Sequence, residues 1–119
     1  MATTALTTEN FESTVNENEI VLVDFWADWC NPCKRFSPIY EDASERTEGV
    51  VFAKVDTEDA RDLSAALEIS SIPTIMAFKK GQLVFRQAGM LNGKQLDSLV
   101  EQVKDIDIEA ALAEAKKKA

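Results

Sequence analysis

Hydrophobic and polar positions along the chain follow two rhythms. Glu19 to Trp26, Val50 to Asp56, Thr74 to Lys79 and Leu83 to Ala88 are short runs rich in β-branched and aromatic residues, the composition of strands. Between them, apolar residues recur at helical spacing. Phe36, Ile39, Tyr40 and Ala43 fall at i, i+3, i+4 and i+7, as do Leu96, Leu99, Val100 and Val103, while Ala60, Leu63 and Leu67 form a shorter stripe. Each stripe reads as the buried face of a helix rather than as a binding groove. Thr3 to Leu6 suits a short edge strand, and Thr8 to Asn16 a first helix with Thr7 or Thr8 as its cap.

The connections set the topology. A strand, a helix of about fourteen residues and a second strand, here Glu19 to Asp56, make a right-handed parallel crossover. Only Lys80, Gly81 and Gln82 part the last two strands, so these pair as an antiparallel hairpin with Gly81 at positive φ. The sheet is therefore mixed. Pro38 falls inside the second helical stripe and is expected to kink it. Beyond Lys104, Asp107 can cap a terminal helix with Ile108, Ala111, Leu112 and Ala115 on one face and Lys116 to Lys118 at its end. This reads as a solvated helix packed on the body; a partner contact is the sharper alternative.

Composition narrows the class. A chain of 119 residues, 45% hydrophobic and 29% charged, can bury one ordinary core, and no repeat or Gly/Ser-rich linker divides it. With 21 acidic against 13 basic residues the net charge is -8, a field that repels nucleic acid and anionic lipid. No apolar run approaches the ~20 residues that span a bilayer. The first basic residue is Lys34, so the start resembles neither a secretory signal nor a transit peptide, and a cytoplasmic location is expected.

The candidate chemistry is concentrated in the pair Cys30-Asn31-Pro32-Cys33, between the first long strand and the helix after it. Unpaired N–H groups and the dipole at a helix N-terminus favour an anion there, which makes Cys30 the nucleophilic thiol. Cys33, about one turn on and pointing further into the fold, is the resolving thiol. A purely structural bridge across four residues would gain little chain entropy. Zinc would need about four ligands, and the chain has no His and no third Cys, so no metal is expected short of carboxylates or a second copy completing a site.

Other residues suit this chemistry. Asp24 interrupts a strongly apolar strand, where burial raises a carboxyl pKa toward values useful for taking a proton from Cys33; its alternative is a side chain turned to solvent. Lys54 in the next strand either pairs with Asp24 or is solvated. Pro32 stiffens the first helical turn. Pro73 precedes a strand, where a cis bond is possible. Trp26 reads as core, and Trp29, beside Cys30, as a partly exposed lid over substrate.

Val21-Leu22-Val23-Asp24-Phe25-Trp26-Ala27, Trp29-Cys30-Asn31-Pro32-Cys33-Lys34 and Ile72-Pro73-Thr74, with Lys54 to Asp56 and Lys80-Gly81, resemble the signature of the thioredoxin family from about Thr3 to Lys104. The resemblance implies a thioredoxin fold: α/β, with a central mixed five-stranded sheet flanked by four helices over residues 1–106, followed by a C-terminal helical extension over 107–119. It implies dithiol–disulfide exchange in which Cys30 attacks, Cys33 resolves, Asp24 accepts the proton and Lys54 modulates it. Trp29, Ile72, a cis Pro73 and Gly89 would meet the substrate. It implies a monomeric carrier of cell redox homeostasis that reduces disulfide-containing client proteins, binds no cofactor, and draws on NADPH indirectly through thioredoxin reductase. One departure stands out: Asn31 occupies a position where the family usually has Gly, and its amide can donate toward a thiolate and so, with Pro32, tune the pair. Ser71 also replaces a frequent Gly, with little effect expected. Two other functions stay open: an isomerase or oxidase with a less reducing pair, and a redox-silent binding subunit.

Overall fold

The computed structural model describes residues 2–118. Its five strands are β1 (Thr3–Leu6), β2 (Ile20–Trp26), β3 (Val51–Asp56), β4 (Thr74–Lys79) and β5 (Gln82–Ala88). They form one sheet in the order β1-β3-β2-β4-β5. β1 and β2 run parallel to β3, whereas β4 is antiparallel to both β2 and β5. The helices are α1 (Phe11–Glu17), α2 (Asn31–Arg46), α3 (Arg61–Ala66), α4 (Gly93–Asp105) and α5 (Ile108–Lys118). The expected parallel crossover and terminal hairpin are both present, as is the edge strand.

Strand side chains alternate between the faces of the sheet, and the central strands are apolar on both. Ile20 and Leu22 of β2, Phe52 of β3 and Ile75 and Ala77 of β4 pack with Phe36, Tyr40 and Ala43 of α2 and Leu96, Leu99, Val100 and Val103 of α4. Val21, Val23 and Phe25 of β2 and Met76 and Phe78 of β4 face the other way, onto Phe11 and Val15 of α1 and Ala60 beside α3. Both predicted long stripes are core faces. Asp24 follows Ile20 and Leu22 in the alternation, which puts it on the face covered by α2.

Local details depart from the sequence reading where side chains cap or tether the backbone. The first helical turn begins at Thr7, whose carbonyl accepts the Phe11 N–H at 3.1 Å, and Thr7 and Asn10 bond each other reciprocally before regular α1 starts. α2 runs to 16 residues and stays one helix through Pro38. The hairpin loop is Lys80-Gly81 alone, with both residues at positive φ (50° and 80°), the combination that matches strand twist in a two-residue loop. Gln82 already pairs with Lys79.

The terminal segment differs most. Asp107 caps it as expected, accepting the Ala110 N–H at 3.0 Å. Of the predicted apolar face only Ile108 is buried, while Ala111, Leu112 and Ala115 are exposed. The helix is held at its start: the Lys80 ammonium pairs with Glu109 at 2.9 Å, and buried Lys79 donates to the carbonyls of Val103, Lys104 and Ile106 at 2.6–2.9 Å. Packing on the body is thus confined to the first turn.

Candidate active site

Cys30 ends the loop after β2 and is the N-cap of α2, with Asn31, Pro32 and Cys33 filling its first turn. The two cysteines are joined as a disulfide with their Cα atoms 5.3 Å apart. The Cys33 N–H points at Cys30 Sγ at 3.2 Å, the side-chain capping geometry of a helix start. Both cysteines are almost fully buried in this oxidised state, at 4% and 3% exposure, so burial does not tell them apart. Their surroundings do. Cys30 Sγ lies 3.6 Å from the Ile72 carbonyl oxygen, beside the outer surface, whereas Cys33 borders a cavity of about 320 Å³ with Asp28, Lys34, Ser37 and Lys54.

The loop before β4 closes the outer side. Ile72-Pro73 is cis, and the Gly89 N–H donates to the Pro73 carbonyl at 2.8 Å. Gly89 has φ +98°, a conformation open to glycine, and an added Cβ would meet no atom within 4 Å. Its absence of a side chain therefore leaves this surface open. Trp29 is 68% exposed and, with Ile72, borders a groove of about 630 Å³ that continues along Thr57, Arg61, Ser64 and Ile69. The sequence reading missed this groove, because α3 lies thirty residues from Trp29 and only the fold brings them together.

Asp24 is fully buried, and neither carboxylate oxygen has a hydrogen-bond partner. Burial raises its pKa to about 7, and the charge of Lys54 pulls the other way. The solvent-facing alternative for Asp24 does not hold. Lys54 is the register partner of Asp24 across β2 and β3, yet none of the ion pairs among the described residues joins them. The Lys54 ammonium instead donates to Ser37 Oγ at 3.0 Å and lies 5.2 Å from the centre of the Trp26 ring. Trp26 is half-buried, with a cation over its ring, and is not part of the core. Asn31 is exposed and makes no hydrogen bond to either sulfur, which are poor acceptors in the disulfide.

Ser37 is the site residue that sequence reasoning overlooked. It stands four residues after Cys33, the spacing that stacks side chains on one helix face, so the signal was present. Among the described residues no group of three or more His, Cys, Asp or Glu is placed to hold a metal ion, and no helix is long and apolar enough to cross a membrane.

Known proteins share this fold. The thioredoxin family model matches residues 2–105. The Streptomyces coelicolor protein named "Putative thioredoxin 2" is 47% identical over 91% of this chain and 81% of its own length. Thioredoxin 1 of Plasmodium falciparum is 40% identical over 76% of this chain and 86% of its own. Among solved structures, a Plasmodium falciparum thioredoxin superposes with TM-score 0.77 at 37% identity, over 83% of this chain and 97% of that one. A Halobacterium salinarum thioredoxin variant superposes with TM-score 0.80 at 28% identity, over 87% and 92%. With a CxxC disulfide at the start of α2 and a match across nearly the whole fold, the chain belongs to the thioredoxin family.

Proposed function

We propose that the chain is a protein-disulfide reductase, a redox carrier that passes two electrons from a thioredoxin reductase to disulfides in client proteins. The observation that carries this reading is the Cys30–Cys33 disulfide at the N-terminus of α2, set against Ile72-Pro73 and beside the exposed Trp29. Two electrons and two protons convert it to the dithiol; NADPH, through a flavin-containing reductase, supplies the electrons and one proton as hydride, and the second proton comes from water.

Reduced Cys30 then attacks one sulfur of a client disulfide as the thiolate. A Cys30–client bond forms, the client S–S bond breaks, and the departing client thiolate takes up a proton. Asp24 accepts the proton of Cys33, whose thiolate attacks Cys30 Sγ. That step re-forms the Cys30–Cys33 bond, breaks the Cys30–client bond and releases the second client sulfur as a thiolate, which takes up a proton. An acceptor that is half protonated near pH 7 suits this transfer, since general-base efficiency is greatest when pKa and working pH coincide. Lys54 modulates Asp24, while Pro32 and Asn31 tune the pair. Trp29, Ile72, Pro73 and Gly89 form the surface on which an extended client segment lies.

Residues 1–106 form the thioredoxin domain in this reading and 107–119 an extension outside the site. The carrier acts as a cytoplasmic monomer. The test is reduction of insulin by the chain, NADPH and a thioredoxin reductase, combined with equilibration of the Cys30/Cys33 couple against glutathione buffers. Turnover with a potential near roughly -270 mV, typical of thioredoxins, supports a reductase; no turnover, or a potential near about -180 mV, overturns it in favour of isomerase or oxidase work. Cys33→Ser should accumulate a client-linked adduct through Cys30, visible by mass, and Cys30→Ser should not.

A further inference from the structure

Asp24 and Lys54 occupy opposite register positions on adjacent parallel strands, on the face covered by α2. Opposite charges so placed on a buried face ordinarily meet. Here they do not: both oxygens of Asp24 are unpartnered, and the Lys54 ammonium lies on Ser37 Oγ at 3.0 Å, over the Trp26 ring. Ser37 is one turn beyond Cys33, so the tether fixes the ammonium at that turn of α2, beside the cavity that reaches Cys33. We propose that Ser37 is a positioning residue whose hydroxyl holds the Lys54 ammonium off Asp24 and thereby keeps the buried carboxyl unpaired and able to take the proton of Cys33.

The position is built for a choice between partners. Lys54, Ser37 and Trp26 border both the 320 Å³ cavity that reaches Cys33 and a second, of about 620 Å³, that opens past Glu41, Asp56 and Asp59. The partners that compete for the ammonium are the Ser37 hydroxyl, the Asp24 carboxyl, Asp28 on the first cavity and the acidic groups of the second. A hydroxyl is a weaker partner than a carboxylate but needs no desolvated charge. While Asp24 is protonated it offers no ionic attraction, and Ser37 prevails. Other titratable groups near this site come from the loop before α2, which brings Asp28 to the first cavity, and from α2: Cys33 and Lys34 on the same cavity, Tyr40, whose phenol feels the Asp24 charge, and Glu41 on the second. β4 contributes Ile75 opposite Asp24, without charge. Lys54 is therefore the one cation on the adjoining strands that can reach the carboxyl, and its tether controls how strongly it does so.

This inference rests on Asp24 as the proton acceptor of Cys33, and the experiment separates the two. The Asp24 carboxyl is titrated in the full-length oxidised chain by carboxyl-carbon NMR, and the pH profile of mixed-disulfide resolution is measured in single-turnover insulin reduction. Ser37→Ala should lower the Asp24 midpoint by about 1 pH unit, because a freed Lys54 closes on the carboxylate, and move the resolution profile down with it. Ser37→Thr should restore the wild-type midpoint. In a Lys54→Met background, Ser37→Ala should change nothing. An unchanged or raised midpoint in Ser37→Ala overturns the tether, as does a shift that persists without Lys54; a rise would mean that Ser37 had been holding the ammonium near Asp24 or that the acids of the second cavity had captured it. If the midpoint falls as expected but the resolution profile of Asp24→Asn matches wild type, the tether stands and the proton-acceptor reading falls.

Discussion

Asp24 joins stability to chemistry at the scale of one residue. Its pKa is about 7 in the fold against 3.8 when solvated, so the folded state holds the proton more tightly. Stability contributed by the neutral carboxyl is fully present below pH 3.8 and is lost as pH rises through 7, since charging then occurs against burial. A shift of that size corresponds to about 4 kcal/mol at most. Asp24→Asn keeps the shape without the charge. Its urea-unfolding free energy should match wild type near pH 3 and exceed it by several kcal/mol, up to about 4, at pH 8. The same variant should slow resolution at pH 7 on the order of 10²-fold, the low end for a positioned base. Equal stability of both proteins at pH 8 would show that the carboxyl is not buried as the structure places it.

At the scale of elements, the hairpin and the terminal helix make contrasting demands on sequence. Gly81 has φ +80°, and an added Cβ would stand 2.7 Å from Asn16 Oδ1 at the end of α1. Gly81→Ala should cost about 1–2 kcal/mol in equilibrium unfolding, from the left-handed backbone together with displacement of Asn16. A neutral result would mean that the turn relaxes to another type. In α5, a buried Ile108 and a 43% exposed Leu112 lie on the same predicted face. Ile108→Ala should lower stability by about 2 kcal/mol, whereas Leu112→Ala should stay within about 0.5 kcal/mol. Equal losses at the two positions would show that the whole helix packs. Insulin reduction should be unaffected by either change, because the site lies at the other end of β4 from the Lys79 carbonyl cap.

At the scale of the whole molecule, a net charge of -8 acts on association rather than on fold. Reduction of a basic client should slow as salt rises from 50 to 300 mM, and reduction of an acidic client should quicken, because screening removes attraction in one case and repulsion in the other. Rates insensitive to salt for both clients would mean that local contacts at Trp29 and Ile72 outweigh the long-range field.

Much of this protein was determined locally and could be read from its sequence. Apolar alternation and helical stripes are set by the periods of strand and helix, so β2, β3, β4 and the buried faces of α2 and α4 were legible without tertiary information. The dithiol was legible too: it depends on spacing within one helical turn and on a strand immediately before it. So was Asp24, because a lone carboxyl in Ile20-Val21-Leu22-Val23-Asp24-Phe25-Trp26 is conspicuous in an apolar strand. Tertiary structure decided what depended on which distant group arrived first. Lys54 could face Asp24, solvent or Ser37, and only the seating of α2 on β3 selected Ser37. Trp26, at the end of β2, stayed half-buried because it borders two surface cavities instead of a packed helix. The groove from Trp29 along α3 exists because residues far apart in the chain meet at one end of the sheet. The apolar face of α5 stayed exposed past Ile108 because helical periodicity describes which side chains share a face, while burial requires a surface for that face to meet.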